Sequence, residues 1–325
     1  MQYIPHFLTL IFSAAVIWFF AGILVESASN VARRFHQSGF TVAFFLLGFL
    51  TSISEFSVMV NASLEGNPQV SAGNLIGASF VLILCVVPIL AIVGNGVTIR
   101  NTLNTQNLGL ALVVVALPAL LVLDGDLNRQ EGLLCLLLYV TLLYQIRKQT
   151  KGKAPQLVHE VEKELLEKKR AGWWDGIKIL IGAGAIFGSG HLLVQETVFF
   201  SGALGVPSSI IGLLLLSIGT NVPELVIAIR SILKKRKDIA FGDYLGSTVT
   251  NTVFFSFLPL ANGRFTLEAK EFQATALLTV AGFVGFFLAA KSKSNISRHE
   301  GWILVSVYAL FVIVQGVYLI YFATT

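Results

Sequence analysis

Ten long apolar runs constrain this 325-residue chain more than any other feature of its sequence. Each is close to the roughly 20 residues that a helix needs to cross the hydrocarbon core of a bilayer. Charged residues make up 13% of the chain, which is too few to solvate the surface of a soluble domain of this size. We therefore expect an all-α integral membrane protein with ten transmembrane helices. The runs lie at about residues 7–25, 40–62, 73–94, 107–123, 131–147, 176–199, 208–232, 241–261, 270–290 and 301–322.

The positively charged residues fall mostly on one side of this arrangement. The longest polar interruption, residues 148–175, separates five runs from five, so the chain divides into residues 1–147, this linker and residues 176–325. With the linker in the cytoplasm, 20 of the 23 Lys and Arg residues lie on the cytoplasmic side, as the positive-inside rule requires. Both termini then lie outside the cell membrane, and an odd number of helices in each half inverts the halves relative to each other. The net charge of +5 is thus a topology signal, and we expect no nucleic-acid partner.

The linker contains apolar residues at helical spacing, among them Leu157, Val161 and Leu165, with acidic residues between them. This pattern predicts a short amphipathic helix on the cytoplasmic side. Two roles stay open for it: a solvated connection between the halves, or a regulatory surface for a cation or for lipid headgroups.

An internal repeat connects the two halves. With an offset of 169 residues, residues 22–82 superimpose on residues 191–251 without a gap. The identical pairs cluster at polar and glycine positions within an apolar background, where chance would match mainly leucines. They include Glu55–Glu224, Thr51–Thr220, Gly73–Gly242 and Gly77–Gly246. The repeat agrees with the five-plus-five division of the runs, as expected for inverted halves.

Two carboxylates stand near the middle of apolar runs two and seven. A charge at that depth costs about 2.5–3.5 kcal/mol on insertion scales, so Glu55 and Glu224 need a partner or a function. Two glutamates that face each other across a pseudo-twofold axis would repel, and a divalent cation between them would remove that conflict. The alternative is that each glutamate is protonated and hydrogen-bonded to a neighbouring helix.

The residues before the second glutamate predict that its helix is broken. Gly219, Thr220 and Pro223 disfavour a continuous helix, because proline lacks the amide N–H and clashes with the carbonyl four residues earlier. Carbonyls near Ser217 to Thr220 would then be free to coordinate an ion. Carboxylate and carbonyl oxygens are hard ligands, which suit Ca²⁺ or Na⁺ and not a soft metal. The glycines of the repeat, four residues apart, allow runs three and eight to pack beside the broken helices.

These motifs resemble the α-repeats of the Ca²⁺/cation antiporter superfamily, and within it those of the sodium/calcium exchangers. That family has two inverted five-helix halves, each with a motif G-T-S-x-P-E followed by G-N-x-x-G-S-N-x-x-N/D. The second repeat here, at about residues 208–261, reads GTNVPE and then GDYLGSTVTN. The first, at about residues 40–94, is more divergent and reads LTSISE and then GNLIGASFVL. The resemblance implies ten transmembrane helices as two inverted five-helix repeats, with broken helices two and seven.

The resemblance also implies a cation site in the middle of the membrane. Eight residues match positions that line it in the family: Glu55 and Glu224 as central carboxylates, Thr51 and Thr220 through their carbonyls, Ser52 and Asn221 beside them, Ser247 at a Na⁺ site, and Asn251 near the centre.

Three positions of the first repeat depart from the family pattern. Ser54 replaces the proline, Ala78 replaces a serine of a Na⁺ site, and Leu82 replaces the asparagine that matches Asn251. We therefore expect a lopsided site, with more side-chain oxygens from run eight than from run three.

The resemblance implies secondary active antiport of Ca²⁺ against Na⁺ through one site that opens alternately to each side. A Ca²⁺/H⁺ antiporter of the same fold is an alternative, because the departures remove oxygen ligands for Na⁺ while the carboxylates can still take up protons. A passive cation channel or a non-transporting scaffold is a third reading. Channels favour a continuous polar pathway, whereas the polar groups of this sequence are concentrated at one depth.

Other motifs carry no second chemistry. The segment from Gly188 to His191 lacks the G-x-S-G pattern of an intramembrane serine protease, and we interpret it as helix packing. Asp124 and Asp126 suggest a solvated turn more than a cation vestibule, and Cys85 and Cys135 suggest apolar core positions. We expect no enzymatic activity and no cofactor apart from the transported ions. The lipid bilayer, Ca²⁺ and Na⁺ are the expected partners, and no oligomer is required.

Overall fold

The computed structural model describes residues 3–34, 51–98, 105–150, 173–221, 224–225, 237–267, 269–293 and 295–324. Helices make up most of this part of the chain. They are α1 (Tyr3–Arg34), α2 (Ile53–Leu64), α3 (Pro68–Val93), α4 (Thr105–Leu121), α5 (Arg129–Thr150), α6 (Trp173–Leu204), α7 (Ser208–Thr220), α8 (Lys237–Asn262), α9 (Ala269–Lys293) and α10 (Arg298–Thr324). One π-helical turn interrupts α3 at Leu82–Val86, and another interrupts α7 at Gly212–Leu216.

Six helices among the described residues are long and apolar enough to cross a membrane. They include Tyr3–Leu24, Pro68–Val93, Thr105–Asp124, Trp173–Leu204, Phe272–Lys291 and Arg298–Ile320. The predicted runs 131–147 and 241–261 correspond to α5 and α8, which are helical over 22 and 26 residues. Runs 40–62 and 208–232 are described only in part, as α2 and α7. The mainly helical membrane fold is therefore confirmed, and the count of ten spanning helices stays a prediction. The predicted linker helix lies outside the described residues.

The distribution of side chains is that of a protein in lipid. Large apolar residues stand exposed on the outer faces of the helices, among them Phe12, Leu180, Leu277 and Ile313. Polar residues, including glutamates and asparagines, lie buried between the helices. An apolar exterior around a polar interior is unfavourable in water, and it is favourable where hydrocarbon surrounds the helices.

Two short antiparallel ribbons join loops of the two halves. β1 (Val97–Thr98) follows α3 and pairs with β4 (Asn295–Ile296), which precedes α10. β2 (Asp126–Leu127) follows α4 and pairs with β3 (Phe265–Thr266), which follows α8. Because α4 separates β1 from β2 and α9 separates β3 from β4, the ribbons cap opposite ends of these two helices. Helices α4 and α9 therefore run antiparallel to each other.

Close backbone contact between α3 and α7 brings the end of α7 into the interior. A side-chain Cβ at Gly73 would collide with the carbonyl of Ser209, and one at Gly77 would collide with the carbonyl of Leu213. Gly212 makes the reciprocal contact from α7. The first glycine pair of the repeat thus packs against the second predicted broken helix, as the sequence indicates.

Candidate cation-binding site

The helices of runs two and seven are interrupted at positions related by the repeat. Helix α2 begins immediately after Ser52, whose backbone has φ −86° and ψ 22°. Helix α7 ends immediately before Asn221, with φ −95° and ψ 9°, and the backbone is helical again at Glu224–Leu225. The two interrupting residues are 169 positions apart and have nearly the same conformation, in the bridge region of backbone space.

The interruption in run seven releases one helical carbonyl. The amide N–H of Asn221 donates to the carbonyl of Ile218 at 3.2 Å, so the carbonyl of Ser217 loses the main-chain partner that a regular helix would give it. The Asn221 side chain takes this place, donating from Nδ2 to the Ser217 carbonyl at 2.7 Å. The Ser217 carbonyl thus loses its main-chain partner in the segment where the sequence predicts it, but it accepts a hydrogen bond from the Asn221 side chain instead. Pro223, the expected cause, lies outside the described residues.

Hydrogen bonds bring both interrupted helices together with α8. The Ser54 hydroxyl donates to Glu55 Oε2 at 2.8 Å and lies 3.4 Å from the carbonyl of Thr220. Thr51 Oγ1 and Ser247 Oγ are 2.8 Å apart, which joins the start of α2 to α8. The contacts Ser54–Thr220 and Thr51–Ser247 link residues that are 166 and 196 positions apart in the chain. Together with the Ser54–Glu55 bond they connect four of the predicted ligands.

All eight predicted ligands are buried: Thr51, Ser52, Glu55, Thr220, Asn221, Glu224, Ser247 and Asn251.

Several polar atoms of this group have no hydrogen-bond partner among the described residues. They are Glu55 Oε1, Ser52 Oγ, Asn221 Oδ1 and both amide atoms of Asn251. A buried polar atom without a partner costs about 1–3 kcal/mol. Four of these five atoms are oxygens, so the donor set fits a hard cation such as Na⁺ or Ca²⁺. The described residues contain no group of three or more His, Cys, Asp and Glu side chains that could hold a metal, so the fit is to two carboxylates supplemented by neutral oxygens.

Three residues outside the predicted ligand set also contact the site. Ser54 occupies the position of the family proline, and its hydroxyl bonds Glu55. Asn74 Oδ1 accepts from Thr220 Oγ1 at 3.3 Å. Tyr244 is fully buried, and its hydroxyl donates to the backbone carbonyl of Glu224 at 2.9 Å. For Ser54, the replacement of the family proline was a signal in the sequence. The contacts of Asn74 and Tyr244 depend on how the helices cross, which the sequence does not show.

The divergent positions of the first repeat are buried as well. Ala78 and Leu82 have almost no exposed surface, and Leu82 belongs to the main apolar cluster, at the start of the π-helical turn of α3. Leu82 therefore does not face lipid. Neither side chain provides an oxygen, and the expected shortage of ligands on α3 stays a prediction.

The remaining motifs have structural partners. His191 Nδ1 lies 2.5 Å from Glu65 Oε1, and Gly190 packs against Ser57 of α2, so this segment joins α6 to α2. Asp126 forms an ion pair with Arg264, which lowers the pKa of that carboxyl below its usual value. These contacts agree with packing and with a solvated turn, as we interpreted the two motifs.

Known proteins share both the sequence pattern and the fold. The chain matches the family described as sodium/calcium exchanger protein over residues 5–146 and 176–317. It is 28% identical over 239 residues to the CaxA protein of Alkalimonas amylolytica, covering 73% of this chain and 74% of that protein. It is 23% identical over 332 residues to the sodium/calcium exchanger MaX1 of Methanosarcina acetivorans, covering 89% and 92%.

Two solved structures have the same fold. The sodium-calcium exchanger NCX_Mj aligns with a TM-score of 0.63 and 20% identity, covering 95% of this chain and 98% of that one. The H⁺/Ca²⁺ exchanger CAX aligns with a TM-score of 0.70 and 13% identity, covering 98% and 88%. Because the family matches most of both halves, this multi-pass membrane protein belongs to the sodium/calcium exchanger protein family and is an antiporter of the Ca²⁺/cation type.

Proposed function

We propose that the protein exchanges Ca²⁺ for Na⁺ by alternating access at a site formed around Glu55 and Glu224. The observation that carries the proposal is the burial of both glutamates beside the two helix interruptions. Beside them, oxygens of Glu55, Ser52, Asn221 and Asn251 have no hydrogen-bond partner in the described part of the chain. Two carboxylates neutralise one Ca²⁺ ion, and Na⁺ ions can replace it with help from neutral oxygens. Since the same carboxylates serve both ions, binding of one competes with the other, which is the condition for exchange.

We also infer that the two halves form inverted five-helix repeats, giving ten spanning helices. The β-ribbons support this inference. An offset of 169 carries β2 onto β4, and an offset of 168 carries β1 onto β3. Under these offsets the pair Val97–Ile296 becomes the pair Phe265–Leu127, so one ribbon reproduces the register of the other. The ribbons lie at opposite ends of α4 and α9, as expected if one half is upside down relative to the other.

The starts of α5 and α10 support the same relation. Asn128 and Glu131 cap α5 reciprocally: the Asn128 N–H donates to Glu131 Oε2 at 2.8 Å, and the Glu131 N–H donates to Asn128 Oδ1 at 3.2 Å. Ser297 and Glu300 form the same capping box on α10, at 2.7 and 3.3 Å. Both pairs obey the 169-residue offset, far beyond the part of the repeat that the sequence aligns.

The distribution of basic residues supports one orientation of these halves. We propose that the linker and the β1–β4 ribbon face the cytoplasm, and that the termini and the β2–β3 ribbon face outside. Arg100 follows β1 and Arg298 follows β4, which agrees with the positive-inside rule.

Na⁺ is the proposed driving ion because the carboxylates are surrounded by neutral oxygens. A proton needs only a carboxylate oxygen, whereas Na⁺ needs several oxygen ligands. The described site retains hydroxyl and amide groups at Thr51, Ser247, Asn221 and Asn251. The alternative, Ca²⁺/H⁺ antiport, is favoured by Ala78 and Leu82, and by the fold shared with CAX, a named H⁺/Ca²⁺ exchanger.

The test is Ca²⁺ uptake into proteoliposomes with Na⁺, K⁺ and H⁺ gradients imposed separately. We expect uptake to require an outward Na⁺ gradient, and Glu55→Gln and Glu224→Gln each to abolish it. Glu65→Gln is the matched control, because this glutamate pairs with His191 at the end of α2 and not at the site. Uptake driven by a pH gradient without Na⁺ would establish the alternative. Uptake that needs no counter-ion would indicate a channel, and normal Na⁺-driven uptake by either mutant would exclude this site.

A further inference from the structure

A buried tyrosine of α8 holds the main chain of one of the two glutamates. The Tyr244 hydroxyl donates to the backbone carbonyl of Glu224 at 2.9 Å. Tyr244 has no exposed surface, so water does not compete for this bond. Breaking a hydrogen bond between buried groups is costly, because neither group can turn to water instead. The bond therefore fixes the distance between α8 and the main chain of Glu224.

Tyr244 lies on the face of α8 that carries the predicted ligands. Positions 244, 247 and 251 are three and four residues apart, so their side chains project from the same side of the helix. Ser247 contacts Thr51 from this side, and Asn251 is buried. The Tyr244 side chain thus reaches run seven from the same surface that supplies the site with hydroxyl and amide groups.

The interruption of run seven gives this bond its importance. Glu224 lies three residues after Asn221, where α7 has ended. The N–H of Leu225 donates to the Asn221 carbonyl at 3.2 Å, whereas Pro223 has no N–H to donate. A break of this kind lets the segment behind it tilt relative to the helix in front of it. The bond from Tyr244 limits that freedom, because it ties the segment to α8.

The repeat gives the first half no equivalent bond. The residue 169 positions before Tyr244 is Leu75, which has no polar side-chain atom. Glu55 is held in another way, by the Ser54 hydroxyl that donates to its Oε2 atom at 2.8 Å. The family motif G-N-x-x-G-S leaves the position of Tyr244 unspecified. The bond is therefore a property of this chain and not of the motif.

We propose that Tyr244 is a positioning residue for ion binding: its bond to the main chain keeps the Glu224 carboxylate at the distance from Glu55 at which both glutamates bind one Ca²⁺ ion. This inference rests on the proposed exchange at the two-glutamate site. The ion needs both carboxylates at once, so a small displacement of one weakens binding. Groups that orient the ligands of a metal without touching it typically contribute about ten- to hundredfold to its affinity.

The experiment uses Tyr244→Phe, which deletes the hydroxyl and keeps the ring. Na⁺-driven Ca²⁺ uptake into proteoliposomes is measured over a range of Ca²⁺ concentrations. In parallel, the rise in Tm with CaCl₂ is measured on purified protein in detergent. We expect the half-saturating Ca²⁺ concentration to rise about tenfold in both assays. The maximal rate per reconstituted protein should stay within about twofold of the wild type, because the carboxylate is displaced but still present.

Two control variants separate positioning from folding. Thr252→Val removes another hydroxyl of α8, which contacts the Val114 carbonyl at 3.3 Å. We expect it to lower Tm and leave the half-saturating Ca²⁺ concentration unchanged. Tyr308→Phe makes the same chemical change on α10, where the ring packs against Phe80 and Phe311. We expect this variant to bind and transport Ca²⁺ as the wild type does.

A double variant tests whether the effect of Tyr244 passes through Glu224. Glu224→Asp shortens the side chain by one methylene and so displaces the same carboxylate by itself. Because both changes act on one group, we expect Tyr244→Phe with Glu224→Asp to lose less Ca²⁺ affinity than the product of the two single losses. The Tm series with CaCl₂ measures this affinity even where uptake is too slow to follow.

Each outcome bears on a defined statement. The positioning role is overturned if Tyr244→Phe leaves the half-saturating Ca²⁺ concentration unchanged, if it fails to fold, or if the losses in the double variant multiply; the proposed function then stays intact. A wild-type protein without Na⁺-driven Ca²⁺ uptake overturns the proposed function, and the Tm series still decides whether Tyr244 positions Glu224.

Discussion

At the scale of single residues, the candidate site is marked by buried polar atoms that no other described residue hydrogen-bonds. Asn251 is the clearest case, because neither amide atom has a partner among the described residues although the side chain is 1% exposed. In a residue with only a packing role, this arrangement would lower stability without benefit. An ion ligand is different, because the bound ion supplies the missing interaction.

Asn251→Leu should therefore separate stability from activity. Without ions, removal of a partnerless buried amide raises the free energy of unfolding by about 1–3 kcal/mol. We expect a higher Tm in ion-free detergent, together with loss of most Ca²⁺ uptake and a smaller rise in Tm with added Ca²⁺. The control is Thr252→Val on the next residue, which removes the 3.3 Å contact with the Val114 carbonyl and should lower Tm while uptake persists. An Asn251→Leu protein that is less stable than the wild type yet still transports Ca²⁺ would contradict the ligand role.

At the scale of helices, two devices position the site: interruption and close approach. Ser52 immediately precedes α2 and Asn221 immediately follows α7, and the two residues have nearly the same backbone conformation. At Asn221 the interruption brings the side-chain amide onto the carbonyl of Ser217. Close approach comes from glycines of α3 and α7 that touch the backbone of the other helix. The helix-breaking role that the sequence assigns to Pro223 stays a prediction, since that residue lies outside the described part of the chain.

Gly73→Ala and Gly77→Ala test the close approach. Each new methyl group meets a backbone carbonyl that cannot rotate away, so α3 and α7 must separate. We expect a loss of about 1–3 kcal/mol in stability, typical of an overpacked core, and reduced Ca²⁺ uptake because Asn74 and Thr220 move apart. Gly22→Ala is the control: it lies in a helix, and its new methyl group would meet nothing within 4 Å. Equal Tm values for all three variants would show that the helices do not pack this closely.

At the scale of the whole molecule, the halves are joined by ribbons at both ends and by a site between them. Three features of the structure obey the offset of about 169 residues: the helix interruptions, the ribbons and the capping boxes. These features extend from residue 52 to residue 300. They therefore support the repeat over a longer part of the chain than the glutamate motifs do. A symmetric framework with a different ligand set in each half is suited to alternating access.

The inverted arrangement predicts that Thr266 and His299 lie on opposite sides of the membrane. Both side chains are exposed, in β3 and in the first turn of α10 after β4. In a background with Cys85 and Cys135 replaced by alanine, a membrane-impermeant thiol reagent added to intact cells should label Thr266→Cys. His299→Cys should react only after the membrane is opened. Labelling of both variants in intact cells would rule out the proposed topology.

The amino-acid sequence by itself determined the class of the protein, the repeat and the two glutamates. The length of the apolar runs and the positions of lysine and arginine are properties of single segments in contact with lipid or water. They can therefore be interpreted without knowing which helices are neighbours. Only the tertiary structure decided that Thr51 contacts Ser247, that Thr220 contacts Asn74, and that Tyr244 bonds the carbonyl of Glu224. The contacts of Thr51 and Thr220 join residues 196 and 146 positions apart. These contacts depend on the rotation of each helix about its axis and on its depth in the membrane. Steric contact at the glycine crossings sets both. The hydrophobic pattern of the sequence constrains rotation and depth too loosely to predict which atoms are in contact.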